Sequence, residues 1–401
     1  MNRDKVILSI VVAAYNSENT IRRCIDSILN QKFTDFELII VNDGSTDNTP
    51  VICAEYEIRD SRVKVISQVN MGLISARKSG VENSCGNVIG FVDSDDWIDS
   101  NMYQELIHIY NKYNCQLVSS GIFREFEDDR YTEEYVDNYS EGLYCNIREQ
   151  IYPSMLWNDE CSDYGVYCTL VNKIYKKSIL LDIYKNIDTR VFYGEDCLTL
   201  YSYMMQISSV YILRKSFYHY VIKNNSMCRS RDERLLSNTY HLYNGLKKAF
   251  TGYGDLTYVL LRQLRRYIMD VESHTLRILY GINTQSMGSW KFEYPELACK
   301  DVILYGAGGA GVPLYRFLTE TCNCKVVAWL DREPEGKDME CLHSIESADK
   351  IINYKYDYIV IGVEGENLAK SIKQDICTKY NVDTDKVIWR KPEHTSVFAC
   401  I

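Results

Sequence analysis

Four short apolar segments in the first hundred residues constrain the fold of this chain more than any other feature. Each is rich in valine, isoleucine, leucine or phenylalanine, and they occupy residues 6–14, 36–41, 63–67 and 88–92. Near-continuous apolar runs of this length are typical of strands buried on both faces, as in parallel sheets. An amphipathic helical pattern follows the first segment, with Ser17 as the expected N-cap. Strands that alternate with helices predict an α/β fold built on a parallel, nucleotide-binding type of sheet.

The fourth apolar segment ends in a cluster of carboxylates. Asp93, Ser94, Asp95 and Asp96 follow Val92 directly. In open α/β sheets, ligands lie beyond the carboxyl ends of the strands, and neighbouring carboxylates there repel one another unless a cation lies between them. Asp93 and Asp95 are therefore candidate ligands of a hard cation, Mg²⁺ or Mn²⁺. A solvated acidic loop, or a helix N-cap at Ser94 or Asp96, explains the same residues without a metal.

Three other side chains are expected at the same edge of the sheet. Tyr15 follows the first apolar segment, Asp43 follows the second, and Arg77 lies on a short basic helix predicted over residues 72–80. A carboxylate can accept a hydrogen bond, an aromatic ring can flank a planar ligand, and a guanidinium can offset phosphate charge. Taken singly, Asp43 suits a turn, Arg77 a surface helix, and Tyr15 is one of 33 tyrosines. Their occurrence together favours a nucleotide site.

Length and charge narrow the class of protein. A chain of 401 residues is too long for one ordinary core and predicts two or three domains. The 46% apolar and 25% charged residues are typical of globular proteins. A net charge of -10 argues against a nucleic-acid partner, so an anionic substrate would need a cation or focused arginines.

The cysteine content and the hydropathy of the chain indicate its expected cellular compartment. The fifteen cysteines are odd in number and include no Cys-x-x-Cys pair, which favours reduced thiols over structural zinc. The first residues do not form a convincing signal peptide, and no apolar run approaches the eighteen or so residues needed to span a bilayer. We therefore expect a cytoplasmic protein, with peripheral contact at the inner face of the membrane left open.

Four motifs occur in the order and spacing of a known enzyme family. They are Ser9–Asn16, Val41–Asp47, Asn70–Arg77 and Phe91–Asp96. Together they resemble the successive signatures of the family 2 glycosyltransferases with the A-type nucleotide-diphospho-sugar transferase fold, over about residues 5–230. The resemblance implies that Ala14, Tyr15 and Asp43 hold the nucleotide base and that Arg77 steadies the nucleotide. It also implies that Asp93, Ser94 and Asp95 hold the ribose and a divalent cation on the diphosphate.

Two further segments extend the resemblance. Gly194-Glu195-Asp196 is similar to the motif in which these transferases keep their catalytic base, so Asp196 is the candidate base. The same residues also suit the first turn of a helix. Residues 217–220 and 225–229 resemble the segment that closes the catalytic domain. His219 is thereby a candidate metal ligand, although a structural histidine in an aromatic strand fits equally, and Arg229 is a candidate phosphate clamp.

Residues 231–298 are predicted to be a helical extension followed by a linker. Arg262, Arg265 and Arg266 put positive charge on one side of a helix rich in tyrosine and leucine. Such a face can touch a membrane surface or a lipid-linked acceptor, and it can also be a solvated helix face.

Residues 299–401 begin a second α/β unit. A strand over residues 301–305 leads into Gly306-x-Gly308-x-x-Gly311, and a second strand ends at Asp331. This spacing is that of a Rossmann-like unit, in which the glycine turn binds a phosphate and the acidic residue a ribose. The unit resembles the small nucleotide-sugar-binding domains attached to some sugar-modifying enzymes. The alternative is that the glycines only permit tight packing.

The sequence therefore predicts a catalytic domain over residues 1–230, a helical extension and linker over 231–298, and a Rossmann-like accessory domain over 299–401. The resemblance implies an inverting, metal-dependent transferase that uses a nucleotide diphosphate sugar, with a UDP-sugar expected, and builds a surface glycan. One alternative is a bifunctional chain with an NAD-dependent or nucleotide-sugar-modifying domain, although only about seventy residues follow Asp331. The other is a non-catalytic sugar-binding scaffold, from which we would expect Asp95 or Asp196 to be lost.

Overall fold

The structure is a computed structural model, and the residues it describes are 7–126, 132–158, 163–222, 232–280, 289–322, 324–334 and 344–395. Within the chain, two compact units are distinguished, residues 1–275 and 276–401. Arg229, the candidate phosphate clamp, lies outside the described residues.

The first half of the first unit is a parallel sheet with its helices. Its strands are β1 (Leu8–Ala14), β2 (Phe36–Asp43), β3 (Val63–Gln68) and β4 (Val88–Phe91), in the order β3-β2-β1-β4. They are joined by α1 (Ile21–Leu29), α2 (Thr49–Arg59) and α3 (Leu73–Glu82). All three strand pairs are parallel, and β1, β2 and β4 are buried along almost their whole length. The predicted α/β fold is confirmed, because a strand buried on both faces requires the apolar runs seen in the sequence.

The sheet continues beyond β4 as a mixed half. Its strands are β5 (Trp97–Ile98), β6 (Leu117–Phe126), β7 (Thr132–Tyr135), β8 (Gly142–Tyr144), β9 (Lys173–Lys176) and β10 (Val210–Ile222), and its helices are α4 (Met102–Tyr113), α5 (Ile147–Gln150), α6 (Lys177–Asn186) and α7 (Glu195–Met204). The order runs β4-β9-β6-β10-β5, with β9 antiparallel to both of its neighbours and β6 parallel to β10. This arrangement brings the loops after β4, before β9 and before α7 toward one region.

Two long helices complete the first unit, α8 (Leu235–Phe250) and α9 (Asp255–Tyr280). Their buried residues Leu242, Leu246, Leu260 and Leu264 belong to the same apolar core as the sheet. Up to residue 275, the predicted helical extension is thus part of the packed first unit. Among the described residues, no helix is both long enough and apolar enough to cross a membrane.

The second unit is a five-stranded parallel sheet. Its strands are β12 (Asp301–Tyr305), β13 (Lys325–Asp331), β14 (Ile345–Ser347), β15 (Tyr358–Ile361) and β16 (Val387–Ile388), and a separate antiparallel pair is formed by β11 (Ser289–Lys291) and β17 (Glu393–Thr395). The order β14-β13-β12-β15-β16 is that of doubly wound sheets, with the first strand in the centre. The helices are α10 (Gly311–Arg316), which continues as a π-helical segment to Thr321, and α11 (Glu366–Tyr380). Alternate residues of β12 enter two separate cores, one on each face of the sheet.

Candidate active site

The loops that follow β1 and β2 are bound to each other at the carboxyl edge of the parallel strands. The backbone N–H of Asn16 donates to Ser45 Oγ at 3.0 Å, and Asn16 Oδ1 accepts from the N–H of Thr46 at 2.8 Å. Asn16 has a φ of 49°, in the left-handed region that asparagine tolerates better than most residues. The first two sequence motifs therefore fold into one interlocked edge.

Ser17 does not cap α1 as expected. The helix begins at Ile21, and the N-cap position is occupied by Thr20. The carbonyl of Ser17 instead accepts from the N–H groups of Thr20 and Ile21, which forms a turn ahead of the helix. The Ser17 hydroxyl is 2.7 Å from that of Ser94, so it ties the first motif to the Asp-Ser-Asp loop. Serine is a common N-cap residue, but here its hydroxyl contacts the Asp-Ser-Asp loop instead of the helix.

Asp43 lies at the end of β2 as an almost fully buried hydrogen-bond acceptor. Its Oδ1 accepts from Gln68 Nε2 at 2.8 Å and from the N–H of Met71 at 3.0 Å, and its Oδ2 accepts from the N–H of Gly72 at 2.9 Å. A carboxylate has about four lone-pair sites, so one remains on Oδ2. The side chain is 4% exposed. Asp43 is thus fixed as an acceptor with room for about one further donor.

The other two predicted base-binding residues differ in exposure. Ala14 pairs in register with Asn42, which places Tyr15 and Asp43 at the same level of neighbouring strands. Tyr15 is 51% exposed, so its ring is accessible to a ligand. The Ala14 side chain is buried in the core, which leaves only its backbone for contact with a ligand.

Arg77 is the centre of the carboxylate cluster. Its side chain lies on α3 and is 3% exposed, so the alternative of a surface helix residue is wrong. Nη2 is 2.9 Å from Asp93 Oδ1, while Nη1 is hydrogen-bonded to Asp196 Oδ1 and lies 3.6 Å from Glu195 Oε1. Burial alone would lower the pKa of Arg77, but the three carboxylates outweigh burial and raise it well above its ordinary value. The guanidinium is therefore charged, and it faces protein carboxylates.

Burial also shifts the carboxylates around Arg77. The pKa of Asp93 is raised to about 6 by burial, against the opposing effect of Arg77. Burial and the neighbouring Asp196 raise the pKa of Glu195 to about 8. The cluster around Arg77 therefore contains two carboxyl groups with raised pKa values, Asp93 and Glu195.

Asp196 lies in the first turn of a helix and is hydrogen-bonded on both carboxylate oxygens. It is the second residue of α7, which begins at Glu195 after Gly194, so the motif does start a helix. Its Oδ1 is bound by Arg77, and its Oδ2 accepts from the N–H of Leu170 at 3.1 Å. The side chain is 22% exposed. The carboxylate is therefore oriented on both oxygens and still reachable from solvent.

Asp96, to which the sequence assigned no ligand role, fastens the Asp-Ser-Asp loop to β10. It is fully buried, and it accepts from Tyr218 Oη at 2.7 Å and from the N–H of Val221 at 2.8 Å. The same tyrosine hydroxyl accepts from the N–H of Asp93 at 3.1 Å. Burial, followed by the charges of Asp93 and Asp95, raises the pKa of Asp96 well above its usual range.

His219 occupies an aromatic stack. Its ring lies on Trp97, with ring centroids 3.4 Å apart and an interplanar angle of 11°. Nδ1 is 2.7 Å from Glu125 Oε1, and Nε2 is 3.5 Å from Asp99 Oδ1. Trp97 Nε1 donates to the other oxygen of Glu125 at 3.0 Å, so this carboxylate holds both rings in place.

The predicted three-residue metal site is not assembled. In the part of the chain that the structure describes, no group of three or more His, Cys, Asp or Glu residues is placed to hold a metal ion. His219 Nδ1 pairs with Glu125, while its buried Nε2 makes no hydrogen bond within the described residues and lies 3.5 Å from Asp99 Oδ1, so its role as a metal ligand stays a prediction. The two aspartates still fit a hard cation, since Mg²⁺ commonly uses one or two protein carboxylates together with substrate phosphates.

Lys173 is a buried charged residue to which the sequence analysis assigned no role. It is fully buried at the start of β9, and its Nζ donates to the carbonyls of Tyr167 and Thr169 and to Asn172 Oδ1, at 2.8 to 2.9 Å. Burial lowers the pKa of Lys173. The loop that it closes carries Leu170, the backbone donor to Asp196.

In the second unit, the glycine turn and Asp331 come together. Gly306 has a φ of 102°, and a side chain on Gly311 would overlap the Gly306 carbonyl, so both positions need glycine for backbone reasons. Gly308 is exposed, and a Cβ there would meet nothing within 4 Å. Asp331 accepts from the N–H groups of Ala307 at 2.6 Å and Glu333 at 2.9 Å, and thereby fastens the turn.

Comparison with known proteins follows this division of the chain. The family described as glycosyl transferase family 2 matches residues 9–181, and a family described as C2185-like, N-terminal, matches residues 298–388. The chain is 31% identical to the putative glycosyltransferase EpsH of Bacillus subtilis over 238 residues, which are 59% of this chain and 67% of EpsH.

A second relative is longer than this chain. Glycosyltransferase GlyA of Streptococcus pneumoniae is 30% identical over 267 residues, which are 66% of this chain but 37% of GlyA. Among solved structures, S. aureus TarS 1-349 in complex with UDP-GlcNAc superposes with a TM-score of 0.54 at 18% identity, over 70% of this chain and 78% of that chain. This likeness establishes the expected A-type fold. The family match, the coverage of EpsH and the fold together show that the chain belongs to the family 2 glycosyltransferases.

Proposed function

We propose that the first unit is an inverting, metal-dependent glycosyltransferase. It moves a sugar from a UDP-sugar to a hydroxyl of a glycan or lipid-linked acceptor in surface polysaccharide biosynthesis. The observation that carries this proposal is the buried contact of Arg77 with both Asp93 and Asp196. One guanidinium joins the first carboxylate of the donor loop to the candidate base, although 103 positions separate the two in sequence (196 − 93).

Asp196 is the proposed general base. Its two oxygens are oriented by Arg77 and by the N–H of Leu170, and its partial exposure leaves access for an acceptor hydroxyl. In a single displacement, Asp196 takes the hydroxyl proton while the acceptor oxygen bonds to the anomeric carbon. The bond between that carbon and the diphosphate breaks, and its electron pair leaves with the nucleoside diphosphate.

Asp93 and Asp95 are the residues that would hold the cation. Both lie on the loop after β4, which is fastened through Asp96 and Tyr218 to β10 and through Ser94 to Ser17. A divalent cation bound there supplies positive charge next to the departing diphosphate. The protein contributes a loop whose backbone is already fixed before the substrate arrives.

Asp43 supports the choice of uridine. Its three internal donors keep the carboxylate in place as an acceptor, and the remaining lone pair on Oδ2 suits a ring N–H. Uracil presents an N–H at its imide position, whereas cytosine presents an acceptor there. TarS, which shares the fold, was solved with UDP and with UDP-GlcNAc, and UDP-sugars are therefore the first donors to test.

The test is a donor screen with the full-length protein and Mn²⁺. UDP-, GDP- and CDP-sugars are incubated with glycan and lipid-linked acceptors, and release of the nucleoside diphosphate is measured. We expect turnover with at least one UDP-sugar that is lost when the cation is chelated. Turnover with GDP- or CDP-sugars alone would contradict the uridine assignment, and turnover unaffected by chelation would contradict the metal assignment.

For the second unit we propose nucleotide or nucleotide-sugar binding without chemistry of its own. The observation that favours it is Gly308. Unlike Gly306 and Gly311, this residue has no neighbour that excludes a side chain, so the missing side chain leaves space at the turn for a ligand. The parallel sheet with its central first strand places that turn at the usual ligand edge of a doubly wound domain.

A further inference from the structure

The helices α8 and α9 contact the loop that leads into the candidate base. They lie beyond residues 9–181, which carry the family match, and the sequence interpretation gave them no part in the chemistry. One residue of α8, Asn238, is 1% exposed and makes three hydrogen bonds to the loop. Its Oδ1 accepts from the N–H groups of Phe192 at 2.8 Å and Tyr193 at 3.1 Å, and its Nδ2 donates to the carbonyl of Tyr193 at 2.8 Å.

The residue after this loop is packed against the same two helices. Gly194 has a φ of 81°, and a Cβ on it would lie 2.7 Å from Leu242 Cδ2 on α8 and 3.1 Å from Tyr267 Oη on α9. One turn along α8, the backbone of Gly245 lies close to Leu198 of α7, since a Cβ there would be 2.7 Å from Leu198 Cδ1. The start of α7 is therefore held by side-chain packing as well as by the Asn238 amide.

We propose that Asn238 is a positioning residue for the Glu195–Asp196 pair, acting through residues 192–194. The inference rests on the proposed role of Asp196 as the base. Loss of the amide frees three backbone groups directly ahead of α7, so the first turn of that helix can shift and move the carboxylate relative to the acceptor hydroxyl. Misplacement of a catalytic group by about 1 Å can cost roughly 10²-fold in rate. Within the described residues, the hydrogen bonds of this amide go to Phe192 and Tyr193 and to none of the loops after β1, β2 and β4.

The test is steady-state kinetics of the full chain with Asn238→Leu, which keeps the size of the side chain and removes all three hydrogen bonds. Asn244→Leu is the matched control, because Asn244 is an exposed residue on the same helix whose amide donates only along the helix, to the carbonyl of Tyr240. We expect kcat to fall about tenfold to a hundredfold for Asn238→Leu, with the KM for the donor and the Kd for UDP unchanged. Asn244→Leu should match the wild type.

A second variant keeps the inference testable if Asn238→Leu does not fold. Asn238→Asp retains the acceptor for the two N–H groups and loses only the donor to Tyr193, so its kcat should lie between those of the wild type and the leucine variant. Wild-type kcat in both Asn238 variants would overturn the inference. A loss of UDP affinity parallel to the loss of kcat would also overturn it, because it would indicate a general structural role.

Asp196→Asn, measured in parallel, separates this inference from the proposed function. If Asp196→Asn retains turnover, the proposed base is wrong whatever the Asn238 variants show. If Asp196→Asn loses turnover while the Asn238 variants do not, the base stands and the positioning role fails.

Discussion

Replacing Arg77 with methionine should destabilise the first unit strongly and in a pH-dependent manner. The side chain is 3% exposed and is paired with Asp93 at 2.9 Å, with Asp196, and more distantly with Glu195 at 3.6 Å. Removing one partner of a buried ion pair costs about 3 to 5 kcal/mol, because the remaining charge is left uncompensated. Methionine fills most of the volume of the arginine stem, so the loss reports on charge more than on a cavity.

The pH dependence follows from the carboxylates that remain. Arg77 opposes the burial that raises the pKa values of Asp93 and Glu195, so its removal raises both further. A carboxyl group whose pKa is higher in the folded than in the unfolded protein lowers the free energy of unfolding as the pH rises above its pKa in the unfolded chain, which is about 4. The free energy of unfolding of Arg77→Met should therefore fall furthest below that of the wild type near pH 8, and the difference should shrink toward pH 5.

The assay is urea denaturation of the full chain at pH 5 and pH 8, with far-UV circular dichroism as the signal. Arg22→Met is the matched control, because Arg22 pairs with Glu55 at 2.8 Å while the two side chains are 47% and 38% exposed. An exposed pair of this kind contributes about 0 to 1 kcal/mol. The reasoning would be refuted if Arg77→Met lost less than about 1 kcal/mol in free energy of unfolding, or if the loss were the same at both pH values.

Three further substitutions test separate parts of the two units. Asp196→Asn should keep UDP binding and lower turnover by about 10²-fold or more, since the amide cannot take a proton; near-normal kcat on the true acceptor would place the base elsewhere. Asp95→Ala should abolish the Mn²⁺-dependent part of UDP binding measured by calorimetry, and an unchanged affinity would argue against its role as a cation ligand. Gly308→Val should leave the second unit folded, because the position is open, and should remove any saturation-transfer NMR signal from NAD, UDP or UDP-sugars. Silence of the wild-type chain across that panel would favour the packing role of the glycines.

Within the site, the residue types were predicted better than their contacts. Asp43 and Asp93 were expected at one edge of the sheet and Asp196 in a motif that suits a first helical turn, and the structure places Asp43 at the end of β2, Asp93 two residues after β4 and Asp196 second in α7. The partners were not predictable: Asp43 is held by Gln68 and two backbone N–H groups, and Arg77 by carboxylates. Which donors reach a carboxylate depends on how loops distant in sequence meet.

His219 shows which contacts a local pattern leaves open. The segment around it fitted a metal ligand and a structural histidine equally, and the structure places the ring between two aromatic rings and close to two carboxylates. Those are Glu125 on β6 and Asp99 after β5, and the pairing of β10 with both strands brings them there. No spacing along the chain encodes that pairing.

The sequence alone determined the elements whose signal is local. A strand buried on both faces must be continuously apolar, so β1, β2 and β4 could be predicted with nearly correct bounds. The tertiary structure alone decided the contacts that orient Asp196, namely Arg77, the Leu170 N–H and the loop held by Asn238. These groups come from four separate segments, and the free energy that brings them together is the burial of the sheet and of α8 and α9 in one core, which no short stretch of sequence contains.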